Sequence, residues 1–294
     1  MFHRFADNRD HQGAVYALAW SQNGRSFYSG SGDGFVVKRD VQSLETLDTI
    51  RVGEAVFSIW EDAARQRLWI GTQSGSIRVI DLHERVEVKH IVQHSQGVFR
   101  FVPAPSSNKL YGLGGDGVLS LWLLDDMRPE RLIPLGLGKL RDLVVFPDGT
   151  KVAVACKDGS VRILETDMHH VVGHFQVNDS AATAIFLHPT KPVLLSGHAD
   201  GRIHVWRLSG EAAPIWSFDA HQGGIYRLLA HRDTLISCSR DKTIKCWDLQ
   251  QLEVMERLEG ASQGHRHSVN DILTSSDALI SASDDRQIIV WKRG

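Results

Sequence analysis

Short runs in which apolar and polar positions alternate, such as VYALAW (Val15 to Trp20), SFYSGS and FVVKRD, fill the chain and are broken by small and polar residues. Alternation with period two over so few residues predicts half-buried β-strands, and the long windows of apolar residues three and four apart that helices need are absent. One short unit recurs: SGDGFVVKR from Ser31, TQSGSIRVI from Thr72, GGDGVLSLW from Gly114, CKDGSVRIL from Cys156, HADGRIHVW from His198, SRDKTIKCW from Ser239 and SDDRQIIVW from Ser283. Its third residue is Asp33, Ser74, Asp116, Asp158, Asp200, Asp241 and Asp285, giving separations of 41, 42, 42, 42, 41 and 44. A period of this size fits four short strands joined by tight turns. Asp-Gly between β-rich runs supplies such a turn because both residues tolerate positive φ.

Each unit therefore predicts an inner strand, a second strand, the Asp-Gly turn, a third strand and a more polar fourth, as in SLETLD or VEVKH. One such sheet cannot bury both its faces, so the copies must pack side by side around a closed ring. The last unit reaches Gly294 just beyond Trp291 of its third strand, which leaves Phe2 to Ala6 as the outer strand of blade seven, a clasp that removes a free edge. The expected fold is all-β: a single domain over residues 1–294, a seven-bladed propeller whose last blade is completed by the N-terminus.

Two stretches carry a family resemblance. SCSRDKTIKCWDL (Ser237 to Leu249), after His221 and Ile225, resembles a WD repeat, as does LISASDDRQIIVWK (Leu279 to Lys292) after His265. The likeness to the WD-repeat (WD40) β-propeller family extends from His11 to Trp291. It implies a hydrogen-bonded set of His, Ser or Thr, Asp and Trp tying the lead-in loop to the body of each blade. Blade six matches in full with His221, Ser237, Asp241 and Trp247, and blade seven with His265, Ser281, Asp285 and Trp291, so these two are expected to be the best ordered. Blade one has His11, Ser29 and Asp33 but Arg39 for Trp; blade three has His94, Asp116 and Trp122 but Gly112 for the hydroxyl; blade five has Ser196, Asp200 and Trp206 with Asn178 in the His place. Blades two and four depart furthest, with Ser74 and Ile80 in one and Asp158 and Leu164 in the other.

Composition narrows the function classes. Lys plus Arg at 33 against Asp plus Glu at 35, without a long block of one sign, makes nucleic acid an unlikely partner. No apolar run approaches the ~18 residues needed to cross a bilayer, and MFHRFADNRD lacks the features of a secretory signal, so no membrane partner is expected. An intracellular, cytoplasmic protein is the expectation, with the nucleus left open. Cys156, Cys238 and Cys246 form no CxxC pair and are read as reduced thiols filling strand positions, although Cys238 and Cys246 lie close enough to meet across a hairpin.

No catalytic residue, cofactor or metal is assigned. GxxxxGK[ST] and HExxH are absent. His221, Ser237 and Asp241 have the residue types of a hydrolase triad, but a triad is needed once and this set recurs around the ring. His169, His170 and His174 are read as solvent-facing and divergent, and His265 with His267 as loop polarity plus the family position, so neither group makes a Zn²⁺ site. Asp125 with Asp126 and Asp284 with Asp285 serve turns in this reading.

The resemblance implies that partners contact the face made by the lead-in loops and Asp-Gly turns, at the residue after the first apolar residue of each inner strand. That residue is Tyr16, Phe57, Phe99, Arg141, Thr183, Tyr226 and Asn270. Four of the seven are aromatic in a chain that is 8% aromatic, and aromatics and Arg commonly carry binding energy at the centre of an interface. The next position adds Arg100, Asp142, Arg227 and Asp271, read as mixed charge at the channel mouth, with Lys157, Arg240 and Asp284 as a selective rim. Leu124 to Glu130 is expected on the opposite face, and Glu259 to His267 as an enlarged lead-in loop of blade seven. The expected function is a protein-interaction scaffold or adaptor for a protein or peptide, with no small-molecule substrate. The alternatives are a propeller that binds a small ligand or carbohydrate and, further behind, a propeller hydrolase or lyase.

Overall fold

The β-formers alternate in short segments because each strand buries one face against the next sheet. The computed structural model describes residues 1–104, 108–209, 213–260, 263–275 and 277–294. Among them every regular element is a strand, in seven four-stranded antiparallel sheets. Blade one runs Val15–Trp20, Ser26–Ser31, Phe35–Asp40 and Thr46–Arg51, and the chain repeats this in-to-out order through blade six, which ends at Val254–Leu258. Each inner strand touches the inner strands on both sides, and that of blade one touches that of blade seven, so the ring closes.

Blade seven takes Val269–Thr274, Ala278–Ser283 and Ile288–Arg293 from one end of the chain and Phe2–Asn8 from the other. The clasp is two residues longer than the sequence reading, pairing from Phe2 with Arg293 to Asn8 with Ile288 around a bulge between Arg4 and Ala6. Its far end is anchored to blade six. The Phe2 amide donates to the Glu256 carboxylate at 2.8 Å, and the Phe2 ring is buried in the cluster with Ile236, Cys246 and Leu258.

Two features of the sheets place the site. The glycine of the turn holds the next lead-in loop in blades one, two, three and five, through the carbonyls of Gly34, Gly75, Gly117 and Gly201: Gly201 adopts φ 86° and accepts hydrogen bonds from the Ala220 and His221 amides at 3.0 and 2.9 Å. A Cβ at that glycine would stand 2.1 Å from the His221 carbonyl oxygen, so no other residue fits without moving the loop. The second feature is a bulge near the start of all seven inner strands. Pairing skips from Val15 to Ala17, Val56 to Ser58, Val98 to Arg100, Leu140 to Asp142, Ala182 to Ala184, Ile225 to Arg227 and Val269 to Asp271. A bulge leaves one residue unpaired and re-aims its side chain.

The three cysteines are buried and free. Cys238 pairs across the hairpin with Ile244, and Cys246 with Ile236, so the two thiols occupy different rungs. Burial pushes the Cys156 and Cys246 thiols up to about 12, which suppresses thiolate reactivity.

Candidate partner-binding face

The residues skipped by the seven bulges are Tyr16, Phe57, Phe99, Arg141, Thr183, Tyr226 and Asn270, and all seven line one open concavity of about 350 Å³ at the mouth of the channel. Arg100, Asp271 and Asp284 complete its wall. Tyr16 meets Phe57 edge-on at 5.2 Å, Phe57 stacks on Phe99 at 5.5 Å, and the Arg141 guanidinium lies 4.3 Å above Phe99. These rings are half-buried, leaving a continuous aromatic arc open to solvent over blades one to three. Lys139 stands 5.8 Å from the Phe99 ring, a residue the sequence reading missed because it lies in the loop before the strand.

Two of the seven residues are already engaged. Thr183 is buried, and its hydroxyl donates to main-chain carbonyls on strands of its own and the next blade, Gly197 at 3.1 Å and Ile225. Asn270 donates to the Val15 carbonyl at 3.0 Å and to the Asp284 carboxylate at 2.8 Å, holding the rim between blades seven and one. Arg227 lines a second cavity deeper in the channel, whereas Arg240 is exposed outside the concavity.

The charges after the bulges neutralise one another. Arg100 and Arg227 lie 3.0 and 3.4 Å from Asp142, and Arg227 is 3.6 Å from Asp271. Asp142 accepts the Ile185 and Leu143 amides, and Asp271 accepts those of Leu18 and Ile272. The two carboxylates therefore staple blade four to five and blade seven to one. Burial pushes the Asp271 carboxyl up to about 6 despite Arg100 and these amides. The mixed charge anticipated at the channel mouth is thus largely committed to holding the ring.

The hydrogen-bonded sets beneath this face are complete in more blades than their sequence shows. In blade six His221 Nδ1 donates to Asp241 at 2.9 Å, the Ser237 hydroxyl lies 2.7 Å from Nε2, and the Trp247 indole donates to Ser237 at 2.9 Å. Blade seven repeats this with His265, Asp285, Ser281 and Trp291. In blade three the hydroxyl comes from Ser120, on the strand beside Gly112, which accepts from Trp122 at 2.9 Å and lies 3.0 Å from His94. In blade five Asn178 keeps the His place toward the turn, its amide donating to Asp200 at 3.5 Å, while His198 supplies the imidazole 2.8 Å from Ser196 and donates to the Ser180 carbonyl at 2.9 Å. In blade one the wholly buried Arg39 donates to Ser29 at 2.7 Å in place of an indole.

His169 is a further correction. Instead of facing solvent it is buried, 3.2 Å from the Tyr111 hydroxyl, in the turn before the outer strand Val171–Phe175. Among the described residues no three His, Cys, Asp or Glu side chains are grouped to hold a metal ion, and no helix is long and apolar enough to cross a membrane. The stretch anticipated as irregular from Leu124 to Glu130 is a turn only as far as Met127, since Arg128–Pro134 is the outer strand; the turn is held against blade two, where Arg67 donates to the Leu124 carbonyl at 2.9 Å and Arg65 to Asp125 at 2.7 Å. Within the anticipated blade-seven loop, Ala261 and Ser262 lie outside the described residues.

Residues 5–37, 166–207, 212–248 and 257–292, about half of the chain, match the family model for the WD domain, G-beta repeat. The chain belongs to the WD-repeat family. The matched stretches bypass residues 38–165, from the end of blade one through the third strand of blade four, where Arg39, Ile80 and Leu164 stand in the Trp place; the geometry shows these blades as full members of the ring. The chain is similar to telomerase protein component 1 of Mus musculus, 22% identical over 96% of this chain and 11% of that protein. A WD repeat-containing protein WDS homolog of Arabidopsis thaliana is 24% identical over 74% of this chain and 51% of its own length. A striatin homolog of Dictyostelium discoideum is 20% identical over 90% and 31% respectively. The chain thus spans between about a tenth and a half of these relatives. WD-repeat propellers generally act as non-enzymatic scaffolds in protein complexes.

Proposed function

We propose that this WD-repeat propeller is an interaction scaffold that docks a protein segment in the concavity lined by its seven bulge residues. The observation that carries this reading is the arc Tyr16–Phe57–Phe99–Arg141: four side chains from consecutive blades, in mutual contact and half open to solvent. Bulges near the starts of rigid inner strands fix their positions, so docking orders little that is not already ordered, and large planar groups bury much area with few rotatable bonds. A catalytic reading finds less support, because Asp271 on the wall and Asp142 beside it are tied to arginines and backbone amides, Asp284 accepts from Asn270, and the His-Asp pairs repeat as blade fastenings. Three buried, unpaired thiols suit a reducing, cytoplasmic setting.

Site-specific photo-crosslinking tests the choice of face. A photoreactive side chain placed at Tyr226 should capture the copurifying partner, and one at Asn23, in the hairpin turn at the other end of blade one, should not. Capture from Asn23 alone would assign binding to the opposite face.

A further inference from the structure

Arg141 differs from the other charged groups of the channel. Arg100 and Arg227 are each matched to a buried carboxylate, and Asp284 is held by Asn270. The Arg141 guanidinium lies over Phe99 on the concavity wall, and among the described residues neither a carboxylate nor a carbonyl accepts from it. Partial burial already depresses its basicity, with only the Tyr226 phenol acting in the other direction. Lys139 over the same ring adds a second positive charge on the blade-three and blade-four side of the concavity. A partner covering the concavity would strip water from this guanidinium, and unless it supplied an acceptor the cost would fall on binding.

We propose that the concavity selects an acidic residue: the docked segment places an Asp or Glu carboxylate on Arg141, beside Lys139, and a neighbouring apolar side chain on the Phe57–Tyr16 part of the arc. This rests on the docking reading above. Charge complementarity favours a single carboxylate over a polyanion, because Asp271 and Asp284 of blade seven line the other side of the concavity and would repel a run of phosphates spanning it. The fork of the guanidinium suits two-point pairing with a carboxylate, and its contact with the Phe99 ring holds it at the concavity wall.

The test is selection from a random peptide library on the full chain, followed by titration of the enriched peptides. The expected result is enrichment of Asp or Glu at a fixed position next to an aromatic or aliphatic residue. Arg141→Gln should weaken those peptides about tenfold or more, Arg141→Lys should restore part of the loss, and reselection on Arg141→Glu should change the fixed residue to Lys or Arg. Thermal melts of each variant confirm that the propeller is intact. Peptides that need Tyr16 and Phe57 but carry no fixed acid, or bind Arg141→Gln unchanged, would overturn acid selection and leave docking standing. Peptides indifferent to Tyr16→Ala and Phe57→Ala would remove the docking reading and this proposal with it. An oligothymidylate that displaces the peptides at physiological ionic strength would overturn the choice of a carboxylate.

Discussion

The Ser120 hydroxyl lies 3.0 Å from His94 Nε2, in a blade whose second strand has Gly112 at the place where blades one, five, six and seven have serine. Gly112 and Ser120 face each other across the strand pair, and a Cβ at Gly112 would stand 2.7 Å from the Ser120 oxygen. The hydroxyl has therefore moved to the neighbouring strand, and the glycine makes room for it. Ser120→Ala should cost about 1 to 3 kcal/mol, since it leaves the Trp122 indole and His94 without their shared partner. Gly112→Ser alone should also destabilise, whereas Gly112→Ser combined with Ser120→Gly should recover much of the loss. Denaturant melts of the three variants decide this, and additive losses in the double variant would contradict it.

Arg39 in blade one occupies the indole place of Trp122, Trp206, Trp247 and Trp291. It is wholly buried, its one short hydrogen bond goes to Ser29, and its other nitrogens lack hydrogen-bond partners, with Asp10 3.8 Å away. A buried cation so incompletely paired is often replaced without loss by a group of neutral character. Arg39→Trp should raise the melting temperature, by ~1 kcal/mol or more in stability. A lower melting temperature would mean that the site is shaped to the guanidinium.

Acid should loosen the ring through its aspartates. His265 and the Arg266 and Gln287 amides overcome the effect of burial and hold the Asp285 carboxyl at about 2, below its unfolded value of about 4. Its stabilising contribution is complete above the unfolded value and is lost as the pH falls toward about 2. Asp271 has the opposite sign: raised to about 6, it makes the folded state take up a proton earlier, so acidification from about 6 to about 4 stabilises through this group. Burial holds His11, His94, His198 and His221 below the ordinary imidazole value, so the unfolded chain takes up their protons first and acidification below about 6.5 destabilises through them, against the Asp271 contribution. Melting temperature should therefore fall as the pH drops below about 6.5 and fall further below about pH 4, with a shallower drop in that last range in Asp285→Asn. An equally steep drop in that variant would rule out the assignment.

The blade count, the clasp and the convergence of seven register positions were legible in the sequence, because a period near 42 residues and the Asp-Gly turns repeat whatever side chains fill each blade. The bulges were not, since an unpaired residue leaves no mark on the alternation of apolar positions. Substituted fastenings were hidden for a related reason. Ser120 and His198 act from a strand or rung next to the one the repeat indicates, and only pairing register shows that they reach the same atom. His169 was misread because its contact is with Tyr111 of the preceding blade, a relation between residues 58 apart.

The central claim, that the aromatic arc is the docking surface, is tested most directly by calorimetric titration of the copurified partner into wild-type protein and the Tyr16→Ala/Phe99→Ala double variant, with thermal melts alongside. The double variant should lose affinity by at least about tenfold with little change in melting temperature, as for truncated anchors at the centre of an interface. Unchanged affinity in a folded double variant would contradict it.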